Sequence, residues 1–316
     1  MRKLFIAVVS RPPAGANEPN SPNSEPGERS WFALKMGVWS TLAAALLAIP
    51  GATLSAEESD DQAAELAKQL SNPIAALISV PFQANWDYDI GPADGNRFTL
   101  NIQPVIPISI SKDWNMILRT ILPVISQKDV FGESGIQSGL GNTTQSFFFS
   151  PKAPGPGGII WGVGPVGYYP TNTDNLLGPD KWGAGPTVVA LVQKKEWTVG
   201  VLANQIWSVS GDNNERNISS TFLQPFITYT TKTHTTFGVN AESTYDWEDP
   251  QWTIPINLFV SQILKLGKQP VSIQLGGRYY AEAPSGGPNW GLRLNFTLLY
   301  PLHKPQPESA AHTSSK

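Results

Sequence analysis

The sequence contains no cysteine among its 316 residues, which excludes a disulfide framework, a thiolate nucleophile and a cysteine-based zinc site. Charged residues are also scarce, at 15% of the chain, whereas about a quarter is usual in a soluble domain. The net charge of −3 leaves no basic stripe for a polyanion. We therefore expect no nucleic-acid partner.

Turn-forming and aromatic residues are abundant instead. The chain has 28 glycines, 28 prolines and 11 tryptophans, and its mean hydropathy is −0.17 although 41% of its residues are hydrophobic. Low charge without high hydropathy is typical of apolar residues that alternate with neutral polar ones. Many turns together with many aromatic residues indicate β-structure.

The one long apolar run lies near the N-terminus, at 36–50, after Lys35 and before small residues at 51–56. A positive flank, an apolar core and a small-residue exit are typical of a secretory signal. The run is shorter than the ~20 residues that a membrane-spanning helix needs. We predict a disordered leader plus signal peptide over 1–56, cleaved after Ala56. A buried helix of the mature protein is the alternative.

The chain from 77 to 301 consists of about twelve segments of roughly ten residues in which apolar and polar residues alternate. In the last segment Trp290, Leu292 and Leu294 alternate with Gly291 and Arg293. Successive strand residues point to opposite faces, so each segment has one apolar and one polar face. The segments lie at 79–88, 98–110, 115–126, 142–150, 159–169, 185–193, 197–208, 219–230, 236–245, 252–261, 271–278 and 290–300.

Three features favour a membrane barrel over a soluble periplasmic β-sandwich, which is the alternative. The polar faces carry mainly Asn, Gln, Thr, Ser and Gly rather than Lys or Glu. Aromatic residues stand at segment ends, as in interfacial girdles, at Trp86, Tyr88, Trp197, Trp207, Trp252, Trp290 and Tyr300. Tight turns alternate with longer loops; the predicted turns are 111–113, 194–196, 231–234 and 266–269, and the predicted loops are 127–141, 170–184, 209–217, 246–251 and 282–289.

We therefore predict an all-β fold, a transmembrane antiparallel β-barrel of about 12 strands over 77–301, in the outer membrane of a Gram-negative bacterium. Before it, helical spacing over 57–76 predicts a short periplasmic helix that either plugs the barrel or leads into its first strand. A disordered polar tail is expected at 302–316. The expected partners are outer-membrane lipids and lipopolysaccharide, the barrel-assembly machinery and a small-molecule solute.

A family resemblance is carried by residues 70–92 (LSNPIAALISVPFQANWDYDIGP), 100–108 (LNIQPVIPI), 114–123 and 185–187. These stretches resemble a proteobacterial family of predicted outer-membrane transporters, related to the phenol-degradation meta-pathway transporters and sometimes mislabelled neuromedin U. The resemblance covers roughly 70–301. It implies a β-barrel and, more loosely, uptake of small aromatic or hydrophobic compounds. It provides no transport site to carry over.

Catalytic and cofactor motifs are weak. Gly162, Gly164 and Gly167 match a dinucleotide fingerprint, but a Tyr-Tyr-Pro sequence follows where a helix is required, so we interpret them as a glycine-rich strand. A barrel phospholipase needs a histidine beside a serine nucleophile. His234 lies in a predicted turn, and the other two histidines lie in the tail, at His303 and His312. The sequence therefore predicts no enzyme, no metal site and no cofactor.

The polar faces carry the candidate functional residues. Arginine at mid-membrane costs ~2–4 kcal/mol in contact with lipid, so charged residues on these faces must point into the barrel. There they either line a pore and select solutes or form a salt-bridge network that braces a closed barrel. The predicted pore-lining residues are Asp87, Asn101, Gln103, Arg119, Asn240, Glu242, Asn257, Gln274, Arg278, Arg293 and Asn295.

The sequence therefore predicts an outer-membrane channel or transporter for small solutes. The alternative is a non-conducting structural or adhesin-like barrel whose loops bind a partner. An acidic loop at 246–250 is interpreted as a solvated loop tip, with divalent-cation binding as the other reading.

Overall fold

A computed structural model describes residues 58–301, which form one α-helix, a 3-10 turn at Pro156–Gly158 and fifteen strand segments. The predicted leader and signal peptide, the cleavage site and the polar tail at 302–316 lie outside the described residues. No helix among residues 58–301 combines the length and the apolar character needed to cross a membrane.

The helix, α1, is Glu58–Leu70, and β1 follows at Leu77–Ile90. The remaining segments are β2 (Gly95–Ile102), β3 (Val105–Ser109), β4 (Trp114–Lys128), β5 (Ile136–Leu140), β6 (Thr143–Pro151), β7 (Ile159–Tyr169), β8 (Lys181–Lys194), β9 (Trp197–Gly211), β10 (Ser219–Thr230), β11 (Thr235–Ala241), β12 (Ser243–Asp246), β13 (Gln251–Leu266), β14 (Gln269–Glu282) and β15 (Trp290–Pro301).

Three pairs of segments are single strands with a short interruption. β2 and β3 keep one register against β1, as do β11 and β12 against β13, and both interruptions face a proline, which lacks an N–H for the ladder. Across the gaps the Gln103 N–H donates to Pro81 O (2.9 Å) and the Glu242 N–H to Pro255 O (3.1 Å). Between β5 and β6 the register against β4 shifts by one residue, a β-bulge. Fifteen segments less three junctions leave twelve strands.

The twelve strands close into one antiparallel barrel. β1 pairs with β15 from Leu77↔Pro301 to Tyr88↔Trp290, and the β9–β10 pairing completes the ring. Closure leaves no open edge, which is the condition that a sheet in lipid must meet. The predicted twelve-stranded barrel is confirmed. The sandwich alternative is wrong, because a sandwich consists of two sheets with edges.

The outer surface suits a bilayer. Outward-facing apolar side chains are exposed along the strands, among them Phe237 (52%), Val239 (37%) and Leu258 (61%). Aromatic pairs stand at both ends of the barrel; their ring centroids are 4.6 Å apart in Tyr88–Trp290, 4.9 Å in Tyr245–Trp252, 4.9 Å in Trp197–Tyr229 and 5.8 Å in Trp114–Trp161. An apolar belt between two aromatic girdles is the surface of a membrane-spanning barrel, whose outer face contacts lipids.

One predicted loop is shorter than expected. The sequence pattern predicted a loop over 127–141, but β4 extends to Lys128 and β5 pairs back onto it. The inward-facing amides of Gln127 and Gln137 hold the pair together, since Gln127 Nε2 donates to Gln137 Oε1 at 3.4 Å and Gln137 Nε2 donates to the Ser134 carbonyl at 2.7 Å. Ser126 and Ser138 are paired on the outer face, where the pattern expects apolar residues, so the alternation is weak over this stretch.

Candidate functional site

Most of the charged residues predicted from the sequence meet on one inner wall of the barrel. The pairing places Asn257 beside Arg278, Arg278 beside Gly291, and Gly291 beside Asp87. Residues paired across neighbouring strands share a face, so these side chains form one row across β13, β14, β15 and β1.

An ion-pair network forms along this row. Arg293 binds Glu242 through two parallel hydrogen bonds, Nη1–Oε1 at 2.8 Å and Nη2–Oε2 at 2.7 Å. Arg278 lies 3.3 Å from Asp87 Oδ2 and 4.0 Å from Glu242 Oε2. We call these four residues, with Asn85 and Tyr280, the central network. It joins β1, β14 and β15 to the β11–β12 junction, so it ties together strands that are not neighbours.

Two uncharged residues complete the central network. Asn85 accepts from Arg293 Nε at 2.7 Å, and the Tyr280 hydroxyl donates to Asp87 Oδ1 at 3.0 Å. Arg293 is only 3% exposed, so each of its donors needs a partner inside the protein. Glu242 and Asn85 provide one for each of its three side-chain nitrogen atoms.

Gly291 allows the central network to form across β15. A Cβ at this position would lie 2.5 Å from Asp87 Oδ1 and 2.6 Å from the Trp86 carbonyl oxygen. Any side chain would displace Asp87 or separate β15 from β1. The absence of a side chain therefore lets Asp87 of β1 reach Arg278 of β14.

Replacing Gly291 by alanine is expected to lower the free energy of unfolding by about 1–3 kcal/mol, because the new methyl group overlaps a carboxylate and a backbone carbonyl. Urea unfolding of the refolded barrel measures the change. The matched control is Gly155→Ala, where a Cβ would meet no atom closer than 3.5 Å. Equal stabilities for the two variants would contradict this reading.

The predicted amide residues form a second set of contacts on the inner wall. Asn101 and Gln103 both donate to Gln83 Oε1, at 3.4 and 3.0 Å, and Asn257 Nδ2 donates to Asn240 Oδ1 at 2.7 Å. Arg119 donates from Nη2 to Gln103 Oε1 at 3.1 Å. The amides therefore orient one another and hold the Arg119 guanidinium toward the barrel axis.

A cavity of about 210 Å³ lies inside the barrel between these residues and the N-terminal segment. We call it the central cavity. Five predicted residues line it, namely Gln103, Arg119, Asn240, Gln274 and Asn295. The other six, Asp87, Asn101, Glu242, Asn257, Arg278 and Arg293, bond to one another or to neighbouring strands instead. Whether either set lines a conducting pore stays a prediction.

Helix α1 and the linker after it (together residues 58–76, the N-terminal segment) lie against the inner wall at the end with the short turns. Leu66 and Ala67 pack with Leu77, Ile263 and Leu299, which stand near the ends of β1, β13 and β15. The Lys68 carbonyl accepts from Gln193 Nε2 of β8 at 2.8 Å. The segment is therefore bound to two opposite sides of the inner wall, to β8 by this hydrogen bond and to β1, β13 and β15 by the hydrophobic cluster.

The linker contacts a second, apolar part of the inner wall. Ile74, 4% exposed, packs in a cluster of buried residues from β4, β6, β8 and β9: Ile117, Phe148, Val189, Leu191 and Leu202. The cluster around Leu66 and the cluster around Ile74 together hold the segment in place across the width of the barrel.

Sequence reasoning missed several interior residues. Arg97 faces inward and donates to Gln127 Oε1 at 2.9 Å; extending the alternation of 98–110 by one residue would have found it. Asn85 was on the polar face but was passed over for its charged neighbours. The apolar wall around Phe148 gave no signal, because a strand that is apolar on both faces loses its alternation.

Comparison with known proteins identifies the fold. No family model matches the sequence, and no curated protein matches it. The crystal structure of an outer membrane channel from Pseudomonas putida F1 matches with a TM-score of 0.56 at 15% identity, over 71% of this chain and 96% of that chain. The KdgM porin matches with a TM-score of 0.39 at 12% identity, over 71% of this chain and 99% of that chain.

One expectation from the sequence is corrected here. The chain was expected not to be an enzyme, yet Escherichia coli outer membrane phospholipase A matches over 70% of this chain and 90% of that chain, at 11% identity and a TM-score of 0.42. The expectation that this chain is not an enzyme is withdrawn. This distant likeness assigns no activity. The chain is an outer-membrane β-barrel, with the fold of a solved outer-membrane channel.

Proposed function

We propose that this chain is an outer-membrane channel for small solutes whose periplasmic end is plugged by its own N-terminal segment. The observation that carries the proposal is a barrel interior with a row of charged and amide side chains and a central cavity, closed at one end by residues 58–76. Charged rings and amide donors are the groups by which pores select solutes.

The match to the Pseudomonas putida channel supports the proposal, since that protein is described as a channel and shares the barrel. The composition of the interior supports it as well. A barrel that served only as an anchor would gain more stability from a dry apolar core than from buried charges, which are costly to desolvate. In this proposal the barrel-assembly machinery inserts the protein, and the partner in function is a small solute.

The test is solute efflux from liposomes that contain the refolded barrel, with folding confirmed by its heat-modifiable gel mobility. We expect efflux of small aromatic acids above that of protein-free liposomes, and slower efflux of disaccharides, because the lumen is narrow. Liposomes with heat-unfolded protein are the control. No efflux from either the full chain or a barrel without its N-terminal segment would contradict the channel.

The second candidate function is a non-conducting structural or adhesin-like barrel. It is favoured by one observation, the two hydrophobic clusters that seat the N-terminal segment firmly in the barrel. In that case the central network braces a closed barrel and the external loops bind a partner. The same efflux measurement separates the two functions.

A further inference from the structure

The central cavity has the size of a small organic molecule. Its volume is about 210 Å³. An engineered apolar cavity of ~150 Å³ is known to bind benzene, so the central cavity has room for one six-membered ring and a further group of about 60 Å³. A carboxylate fits in that remaining volume.

The cavity has a single ionisable residue in its lining, which is Arg119. Only one of its N–H groups is used within residues 58–301, in the bond from Nη2 to Gln103 Oε1. No Asp or Glu of the described chain lies within 4 Å of its guanidinium. The interior ion pairs instead join Arg278 and Arg293 to Asp87 and Glu242. Arg119 therefore offers free donors and a positive charge to whatever occupies the cavity.

The charge around the cavity is not balanced by the protein. Within residues 58–301, four arginines (Arg97, Arg119, Arg278 and Arg293) and two carboxylates (Asp87 and Glu242) project inward around the cavity and the central network, an excess of two positive charges. Glu242 interacts electrostatically with Arg119, but both of its oxygens are already bound by Arg293. A buried charge without a partner in direct contact is unfavourable, so an anion from solution is the natural counter-ion for Arg119.

Part of the lining suits an apolar body, and most of the other lining side chains are uncharged polar ones. Val105 is paired directly beside Arg119, and Phe226 and Phe259 also line the cavity. Two polar groups in the wall have no hydrogen-bond partner within the described chain, namely the Thr228 hydroxyl, in a side chain that is 6% exposed, and Asn295 Oδ1. The cavity thus combines one cation, an aromatic and aliphatic part of the wall, and uncharged polar side chains.

We infer that the central cavity binds a small organic monoanion, whose carboxylate pairs with Arg119 and whose ring-sized apolar body packs against Val105, Phe226 and Phe259. The inference rests on the proposed function, since it names the class of solute that the lumen holds. It assigns Arg119 a binding role and the charges of the central network a structural one.

The test is calorimetric titration of the detergent-refolded full chain with three probes that share one ring: benzoate, benzyl alcohol and benzylamine. We expect benzoate to bind at least tenfold more tightly than benzyl alcohol, because a charge-assisted hydrogen bond to the guanidinium is available only to the anion. Protonated benzylamine should not bind measurably.

Variants at Arg119 locate the site. Arg119→Gln should bring the affinities for benzoate and benzyl alcohol to within about twofold of each other, and Arg119→Lys, which keeps the charge, should restore part of the preference. Arg216→Gln is the matched control, since Arg216 pairs with Asp246 near the loops, away from the cavity, and should leave benzoate affinity unchanged. Equal affinities of the full chain for benzoate and benzyl alcohol, or an undiminished preference in folded Arg119→Gln, would overturn the inference.

Failure of this inference and failure of the proposed function are distinguishable. Efflux of solutes without any preference for benzoate would leave the channel standing and remove the anion site. Saturable benzoate binding that depends on Arg119, in a barrel that shows no efflux, would keep the site and remove the channel.

Discussion

Deleting residues 58–76 is expected to raise the conductance of the barrel at least about tenfold, because a hydrophobic obstruction that excludes water from the lumen is removed. In this variant residue 57 is joined directly to Leu77, the first residue of β1. Single-channel recording in planar bilayers measures the change.

The reason lies in how the segment is held. Leu66 and Ile74 are 3% and 4% exposed, and they belong to two different clusters on the inner wall. Burial of each such side chain contributes roughly 1.5–3 kcal/mol, so both anchors favour the seated segment. The barrel strands do not need the segment for pairing, since β1 begins after it and closes directly onto β15.

The point variant Ile74→Asp is expected to raise the conductance in the same direction, because a carboxylate cannot be buried among Phe148 and Val189 without a partner. Gln62→Ala, on an exposed position of α1, is the matched control and should conduct like the full chain. A deletion variant that folds and conducts no better than the full chain would show that the segment does not close the lumen.

Arg293→Ala is expected to destabilise the barrel by about 3–5 kcal/mol, because it leaves Glu242 buried without its main counter-charge. The side chains are 2% and 20% exposed, and two hydrogen bonds of 2.7–2.8 Å join them. Asn85 loses its partner as well. The free energy of unfolding in urea, with lipid vesicles present, measures the loss.

A double-mutant cycle separates the ion pair from the packing of Arg293. Glu242→Gln in the Arg293→Ala background should recover part of the loss, since it removes the unpaired charge. The control is Arg216→Ala, which breaks the exposed ion pair with Asp246 and should cost ~0–1 kcal/mol. If Arg293→Ala and Arg216→Ala unfold at the same urea concentration, the central network does not brace the barrel.

The two experiments address different parts of the interior. Loss of the N-terminal segment should change conductance and leave the barrel folded, whereas loss of Arg293 should change stability first. A barrel whose conductance responds only to Arg293 would instead place the selective constriction at the central network.

The fold could be predicted from the sequence because its signal is local. Strand residues alternate between lipid and lumen, so the apolar face of β15, from Trp290 to Tyr300, is visible in consecutive residues. The same parity placed Asp87, Arg278 and Arg293 on the inner face. Strand number and the aromatic girdles followed from repeating this argument along the chain.

The functional arrangement depends on contacts between residues far apart in the chain. Arg293 meets Glu242 across 51 residues and Asn85 across 208, and only barrel closure and strand register decide which arginine pairs with which acid. The chain order does not show that Arg119, alone among the four interior arginines considered, faces a cavity. Nor does it show that Ile74 packs on Phe148, because a linker and a strand apolar on both faces have no period to recognise. The local alternation of apolar and polar residues determined the barrel. Only the association of distant strands decided which ion pairs form, where the cavity lies and where the N-terminal segment packs.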